Sequence, residues 1–327
     1  MKILYGVQGT GNGHISRARF IYKYLKNISN DIDVLISGNN YNLKTNIPIK
    51  FNAKGFTFAI TNGKIDYLKT LSNFDLFKYY LDQKEIEFKN YDLIITDFEP
   101  ISAWGSVRYN IPSIHISHQA SFIDQEVPRP SSKNIISEYV MKYFCPASDF
   151  IGLHYESYSK NISEPIIAPN IINAKISTSN HITIYLPWYH DEFLYEYFKS
   201  FKSFKFHIFS KETLKNRNID NISFFPIDNI SFIDSLKSSY GVICNAGFQT
   251  TSEAISIGKR LLAIPIDGQY EQYCNVVALK KLGISSLELL DEQSKSMISK
   301  WIKSEPVKRE FNNTVEKMLE SKINNIC

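Results

Sequence analysis

Cysteine is scarce in this chain, with four residues (Cys145, Cys244, Cys274 and Cys327) in 327 positions and no paired spacing among them. That excludes a disulfide framework and a cysteine-rich zinc site, and it points to a reduced, cytoplasmic setting. Long apolar runs are missing too. Nothing approaches the roughly eighteen residues a membrane helix needs, and the opening MKILYGV lacks the charged and apolar regions of a signal peptide, so neither is expected. Charge of one sign is nowhere concentrated: 37 basic against 33 acidic residues leave a net +4 with no basic tail or block. No nucleic-acid partner is expected from such a surface.

What the chain does have is a globular composition, 43 % hydrophobic and 21 % charged, which excludes disorder and coiled coil. Its length suits two domains, each with its own core. The expected division is 1–165 and 166–327, with the linker inside the weakly patterned, Asn-, Ser- and Pro-containing stretch 151–180.

The most informative stretch is 240–283. Val242 and Ile243 form a β-branched run that stops at Asn245-Ala246-Gly247, and a helical pattern opens at Gln249-Thr250-Thr251 with Glu253 in its first turn. A strand, a tight turn and a helix start follow from this, with Thr250 or Thr251 as the expected N-cap. Free amides and the helix dipole at such a turn favour a phosphate. The pattern repeats: Gly258 closes the helix, Leu261 to Ile264 is a second buried strand ended by Pro265, and Asp267, Gln269, Glu271, Gln272 and Asn275 lead into a helix that stops at Gly283. In a parallel sheet, loops leaving the carboxyl ends of adjacent strands share one crevice, so the ligand implied is a phosphate carrying a polyol.

The spacing G-F-x-T-x-x-E-A, followed after about a dozen residues by P-x-x-x-x-x-E-Q-x-x-N, resembles the donor-binding signature of two-domain GT-B glycosyltransferases. It is similar both to the plant and macrolide UDP-glycosyltransferases and to MurG, the peptidoglycan N-acetylglucosaminyltransferase. The resemblance implies an α/β fold of two Rossmann-like parallel-sheet domains facing an inter-domain cleft, with the last helix crossing back to the first domain. It implies that Gly247, Gln249, Thr250 and Thr251 meet the diphosphate, Glu253 the ribose, and Glu271 with Gln272 the sugar hydroxyls. Phe225 and Ile227, in a stretch similar to the uracil-binding region of MurG, are the implied base contacts, or else ordinary strand-end residues. Two positions depart from the plant pattern: Asn245 stands where many members carry His, and Pro187-Trp188-Tyr189 replaces a Gly-Ser loop.

Near the amino terminus, the buried run Ile3 to Val7 leads into Gln8-Gly9-Thr10-Gly11-Asn12-Gly13-His14. The following helix keeps an apolar stripe through Ile15, Ala18, Ile21, Tyr22 and Leu25. A dinucleotide fingerprint fails here, because its third glycine would fall on His14 and the next strand, ending at Ser37-Gly38-Asn39, lacks the acidic residue. The stretch G-x-G-x-G-H-I is similar instead to the first loop of the same glycosyltransferases. That likeness makes His14 the general base, or a residue shaping the acceptor site together with Asn12 and Gly13. A helix N-terminus keeps an imidazole lone pair available, although a capping or packing histidine is the alternative.

Asp97 ends the buried strand Tyr91 to Asp97, and Pro100 starts the next helix. By resemblance Asp97 pairs with His14; alternatively it caps that helix. His118 and Gln119 leave the next strand, Ser113 to Ser117, on the same side, as acceptor contacts or as a replacement base. A strand is expected over Lys54 to Thr61 and helix over Leu68 to Phe88, either core-facing or docked on a membrane surface. Ser121 to Lys133 is aperiodic, and Ser294 to Ile323 is expected to be helical. Asp31-Ile32-Asp33 has metal-binding spacing but precedes its strand, so no metal is expected.

Together these features imply an inverting, metal-independent glycosyltransferase that uses a UDP-sugar co-substrate and no other cofactor. The acceptor would be a glycan, glycolipid or small molecule, and the setting cytoplasmic or at the inner membrane face, as in cell-envelope polysaccharide synthesis. A GT-B sugar-nucleotide 2-epimerase and a non-catalytic sugar-nucleotide-binding protein are the competing readings.

Overall fold

The computed structural model describes residues 1–10, 12–38, 47–55, 60–61, 64–65 and 75–326. The first part of the chain runs through β1 (Lys2–Gln8), α1 (Asn12–Ile28), β2 (Asp31–Ser37), β3 (Phe51–Ala53), a small antiparallel pair β4 (Ile60–Thr61) and β5 (Lys64–Ile65), and α2 (Leu76–Lys84). It continues with β6 (Leu93–Asp97), α3 (Pro100–Tyr109), β7 (Ser113–Ser117), α4 (His118–Ser121), α5 (Ile135–Tyr143), β8 (Asp149–Leu153) and β9 (Ile162–Ser163). Apart from the β4–β5 pair, these strands form one parallel seven-stranded sheet in the order β3-β2-β1-β6-β7-β8-β9. Strands β6 and β7 are buried at every position, as the unbroken apolar runs of a sheet covered on both faces require.

The second part comprises α6 (Pro169–Ile172), β10 (His181–Tyr185), α7 (Asp191–Phe198), β11 (Lys205–Ser210), β12 (Arg217–Ile219), β13 (Ile222–Pro226) and α8 (Asn229–Ser238). Then follow β14 (Gly241–Asn245), α9 (Phe248–Ser256), β15 (Arg260–Ile264), α10 (Tyr270–Lys281), β16 (Ser285–Ser286), α11 (Ser294–Trp301) and α12 (Val315–Ile326). Its sheet has the order β12-β13-β11-β10-β14-β15-β16, parallel except for the edge pair β12–β13. The fold is therefore the two-sheet α/β arrangement expected from the sequence.

Helix α12 lies on the first sheet's side of the molecule. Lys322 Nζ reaches both Asp149 oxygens at 2.7 Å, Thr314 N donates to Ser163 Oγ at 2.9 Å, and Leu319 and Ile323 join the apolar cluster of Ile3 and Tyr5. The same buried cluster extends to Phe248 and Ala254 of α9, so the two halves share packing and do not meet only through the chain.

Several boundaries differ from expectation. Strands β8 and β9 fall within 149–163, overlapping the stretch in which the linker is expected; β9 is two residues long and leaves no periodicity to detect. Strand β3 precedes Lys54, and residues 56–59 of the expected strand lie outside the described residues, as do 68–74 of the expected helix. Asp31 and Asp33 lie within β2, where Asp33 accepts from Lys50 Nζ (2.6 Å) and Tyr91 OH (2.7 Å). The terminal helix is two helices separated by a coil containing Pro306, which lacks the amide a helix needs.

Candidate active site

Both sheets deliver their informative turns to one place. In the first sheet Val7 is in register with Asp97, so the loop after β1 and the end of β6 emerge side by side. His14 lies in the first turn of α1, and its Nδ1 is 2.8 Å from Asp97 Oδ1. Asp97 has no exposure, and Arg17 grips it with Nε to Oδ2 at 3.0 Å and Nη2 to Oδ1 at 2.5 Å. Burial raises the Asp97 carboxyl, but the Arg17 guanidinium and His14 outweigh it and hold the acid below its usual range. An ionised Asp97 only accepts, so Nδ1 of His14 is the nitrogen that donates to it, and in the neutral imidazole the lone pair is on Nε2. Arg17 Nη2 also approaches His14 Nδ1 at 3.0 Å; both nitrogens then point protons at one carboxylate, a shared acceptor and not a bond between them.

The backbone turns sharply behind this group. Phe98 adopts φ 55°, a left-handed conformation costly for a bulky residue, and its ring stacks 6.5 Å from the His14 ring. That turn frees Glu99, not Asp97, to cap α3, where it accepts from Ile101 N (2.8 Å) and Ser102 N (2.6 Å). The capping role therefore falls to a second carboxylate, and Asp97 is left for His14.

In the second sheet, β14 ends at Asn245 and α9 starts at Phe248 with Gly247 as an N-cap that supplies no side chain. A methyl built on Gly247 would meet nothing within 4 Å, so the turn borders open space. A methyl built on Gly13 would lie 3.7 Å from Gln249 Cβ, which puts the first turns of α1 and α9 against each other. Gln249 Nε2 donates to Glu253 Oε1 at 2.8 Å. Burial pushes the Glu253 carboxyl up to about 7, with the Gln249 bond only partly opposing it.

Residues 1–306 match the family model described as Glycosyl transferase family 1. This chain belongs to that family. No curated protein matches it by sequence. Similar solved structures include LpCGTa in complex with UDP, at 10 % identity and TM-score 0.61 over 99 % of each chain. Others are UGT89C1 of Arabidopsis thaliana complexed with quercetin, at 9 %, TM-score 0.56, over 99 % of this chain and 94 % of that one, and MurG of Acinetobacter baumannii, at 14 %, TM-score 0.54, over 92 % and 90 %. At such identities the likeness is one of fold, which is GT-B.

Within this glycosyltransferase, the expected cap is replaced, and several expected site residues have partners inside the protein. Neither Thr250 nor Thr251 caps α9: Thr251 is buried, donates back to Gly247 O (2.8 Å) and bonds Tyr155 OH (2.7 Å), so its hydroxyl is committed to the domain junction. His118 has both ring nitrogens occupied: Nδ1 donates to Leu153 O (2.7 Å), Nε2 lies 2.8 Å from Asn275 Oδ1, and the ring stacks 4.1 Å from Phe248. Gln119 likewise does not face open cleft; its Nε2 donates to Glu271 Oε2 at 2.8 Å. Gln272 braces its own loop, accepting from Ile266 N (2.9 Å) and donating to Gln269 (2.8 Å). Asn245, the departure from the plant pattern, turns Nδ2 to Ile264 O and ties β14 to β15.

Phe225 and Ile227 are half-buried at the carboxyl end of β13, with Phe225 stacked 5.2 Å from Phe209. The Asn12 side chain lies outside the described residues. Arg17 and Glu99 are the residues sequence reasoning missed. Arg17 was detectable as the i+3 neighbour of His14 on one helical face.

Removing Arg17 strands a fully buried carboxylate. Arg17→Gln is expected to lower stability by about 3–5 kcal/mol in urea denaturation. Because the folded Asp97 acid is depressed, the stability it contributes is present above its unfolded pKa and lost as pH falls through the folded one. The wild-type protein should show that acid-side loss more steeply than Arg17→Gln, whereas equal slopes and equal midpoints would contradict the assignment.

Proposed function

We propose that this glycosyltransferase moves a sugar from a UDP-sugar to an acceptor hydroxyl with inversion, without metal or other cofactor. One observation carries the reading: the turn at Gly247 is uncapped and open, and Gln249 of the helix it starts lies against Gly13, next to His14 of the His14–Asp97–Arg17 group. Amides of the first turn of α9 would take the diphosphate and stabilise it as it leaves, the charge-neutralising part a cation plays elsewhere. Glu253, once ionised, accepts from the ribose hydroxyls, and Glu271 from the sugar. Phe225 and Ile227 flank the base.

His14 Nε2 then takes the proton of the acceptor hydroxyl as its oxygen forms a bond to the anomeric carbon on the face opposite UDP, which inverts that centre. Asp97 fixes the tautomer and balances the imidazolium. Cys145, Cys244 and Cys274 are buried free thiols, which supports a reducing cytoplasmic setting. Among the described residues no helix is long and apolar enough to cross a membrane.

UDP at a hundred times its dissociation constant should stabilise the protein by ~2.7 kcal/mol, read as a thermal shift. Gly247→Ala fits the unliganded fold, since nothing lies within 4 Å of the added methyl, yet that methyl occupies the side from which a phosphate would approach. The variant should keep the wild-type melting temperature and lose the UDP shift; a normal shift would contradict the site.

Glu253 supplies a pH test. Its folded acid lies near 7, above the unfolded value, so its ionisation costs stability as pH rises from about 4.5 to 7 and the protonated form persists at lower pH. Ribose hydroxyls donating to the carboxylate favour the ionised form, so UDP affinity should rise between pH 6 and 8. Titration calorimetry on Glu253→Gln should show that rise flattened; an unchanged pH dependence would remove Glu253 from the ribose.

A further inference from the structure

Helix α5 carries its apolar face outward. Ile135, Ile136, Tyr139 and Tyr143 are 82, 70, 65 and 46 % exposed, whereas Met141 is the helix's buried residue. Trp104 and Val107 on α3 extend this surface at 47 and 53 % exposure, because Trp104 Nε1 donates to Phe144 O (3.2 Å), immediately beyond Tyr143. Single exposed apolar side chains are ordinary, but a contiguous set across two adjoining helices marks a contact surface.

Charge decides the partner. Lys133 precedes α5, Lys142 lies in its last turn with Nζ 5.2 Å from the Tyr143 ring, and Arg108 follows Val107; all three are exposed. Helix α3 contains no acidic residue. The one carboxylate of α5, Glu138, is turned inward, accepting from Arg129 Nε (2.9 Å) and Tyr270 OH (2.7 Å). What faces outward is therefore aliphatic and aromatic surface rimmed by cations, the make-up of an element that lies at a headgroup boundary.

We propose that the outer faces of α5 and α3 dock on an anionic lipid surface. Tyr270 opens α10 beside Glu271, so its bond to Glu138 ties α5 to the helix start that carries Glu271, and docking would bring that junction to the lipid. The proposal rests on the reading of the cleft as the transfer site only for its purpose, since docking itself needs no nucleotide.

The test is co-sedimentation of the full chain with vesicles of phosphatidylglycerol and phosphatidylcholine, and with phosphatidylcholine alone, at low and high salt. The protein should pellet with anionic vesicles, stay largely soluble with neutral ones, and be released by salt. Lys142→Glu should weaken the association by roughly fivefold or more. Ile136→Glu combined with Tyr139→Glu should abolish it; both positions are exposed, so folding is not at stake. The UDP thermal shift should be the same in all variants, which separates failure of docking from failure of the nucleotide site. The proposal is overturned if the wild type ignores anionic vesicles or if the double variant pellets like the wild type. It is equally overturned if light scattering shows a wild-type dimer that the double variant dissolves while vesicle binding persists.

Discussion

The first turns of two helices stand against each other in this protein, with Gly13 of α1 close to Gln249 of α9. Each helix start carries roughly half a positive charge, and two like ends placed together repel unless anionic groups lie among them. The chain supplies carboxylates at that junction. Asp97 sits under His14, and Glu253 lies one turn into α9 with its acid held near neutrality by burial. A third, Glu271, reaches across from α10 to Gln119. These carboxylates offset the like charge of the two helix starts.

Arg17 keeps the first-domain half of this arrangement affordable. A carboxylate with no solvent exposure survives only with a partner, and two hydrogen bonds from one guanidinium meet that need while leaving His14 its own contact with Asp97. On the other side Asn275 plays the linking part, donating to Ala246 O in the turn before α9 and meeting His118 from the first domain. His118 and Gln119 therefore help hold the halves together.

How much of this could be seen in the residues alone follows from what local pattern encodes. The two strand–turn–helix units were visible because buried parallel strands are continuous apolar runs and glycine marks the turns. Asp97 was visible because a charge ending such a run is conspicuous. Glu99 was not, since a glutamate before a proline has an ordinary solvent-facing role, and Arg17 offered only its i+3 spacing from His14; the tertiary fold is what buries both. Thr251 was misplaced for the same reason: a threonine at a helix start normally caps, and nothing local announces that Tyr155 will claim its hydroxyl. Helix α5 shows the limit most plainly. Its apolar stripe would be assigned to the core from spacing alone, and it is the surrounding structure that leaves the stripe outside.

The most direct measurement is a crystal structure of the protein soaked with UDP. The account predicts the pyrophosphate over the amides of the Gly247 turn, the ribose on Glu253, and His14 facing the open end of the diphosphate from across the cleft. A nucleotide bound instead along the Gly9 to Gly13 loop, or on a face away from His14, would contradict it.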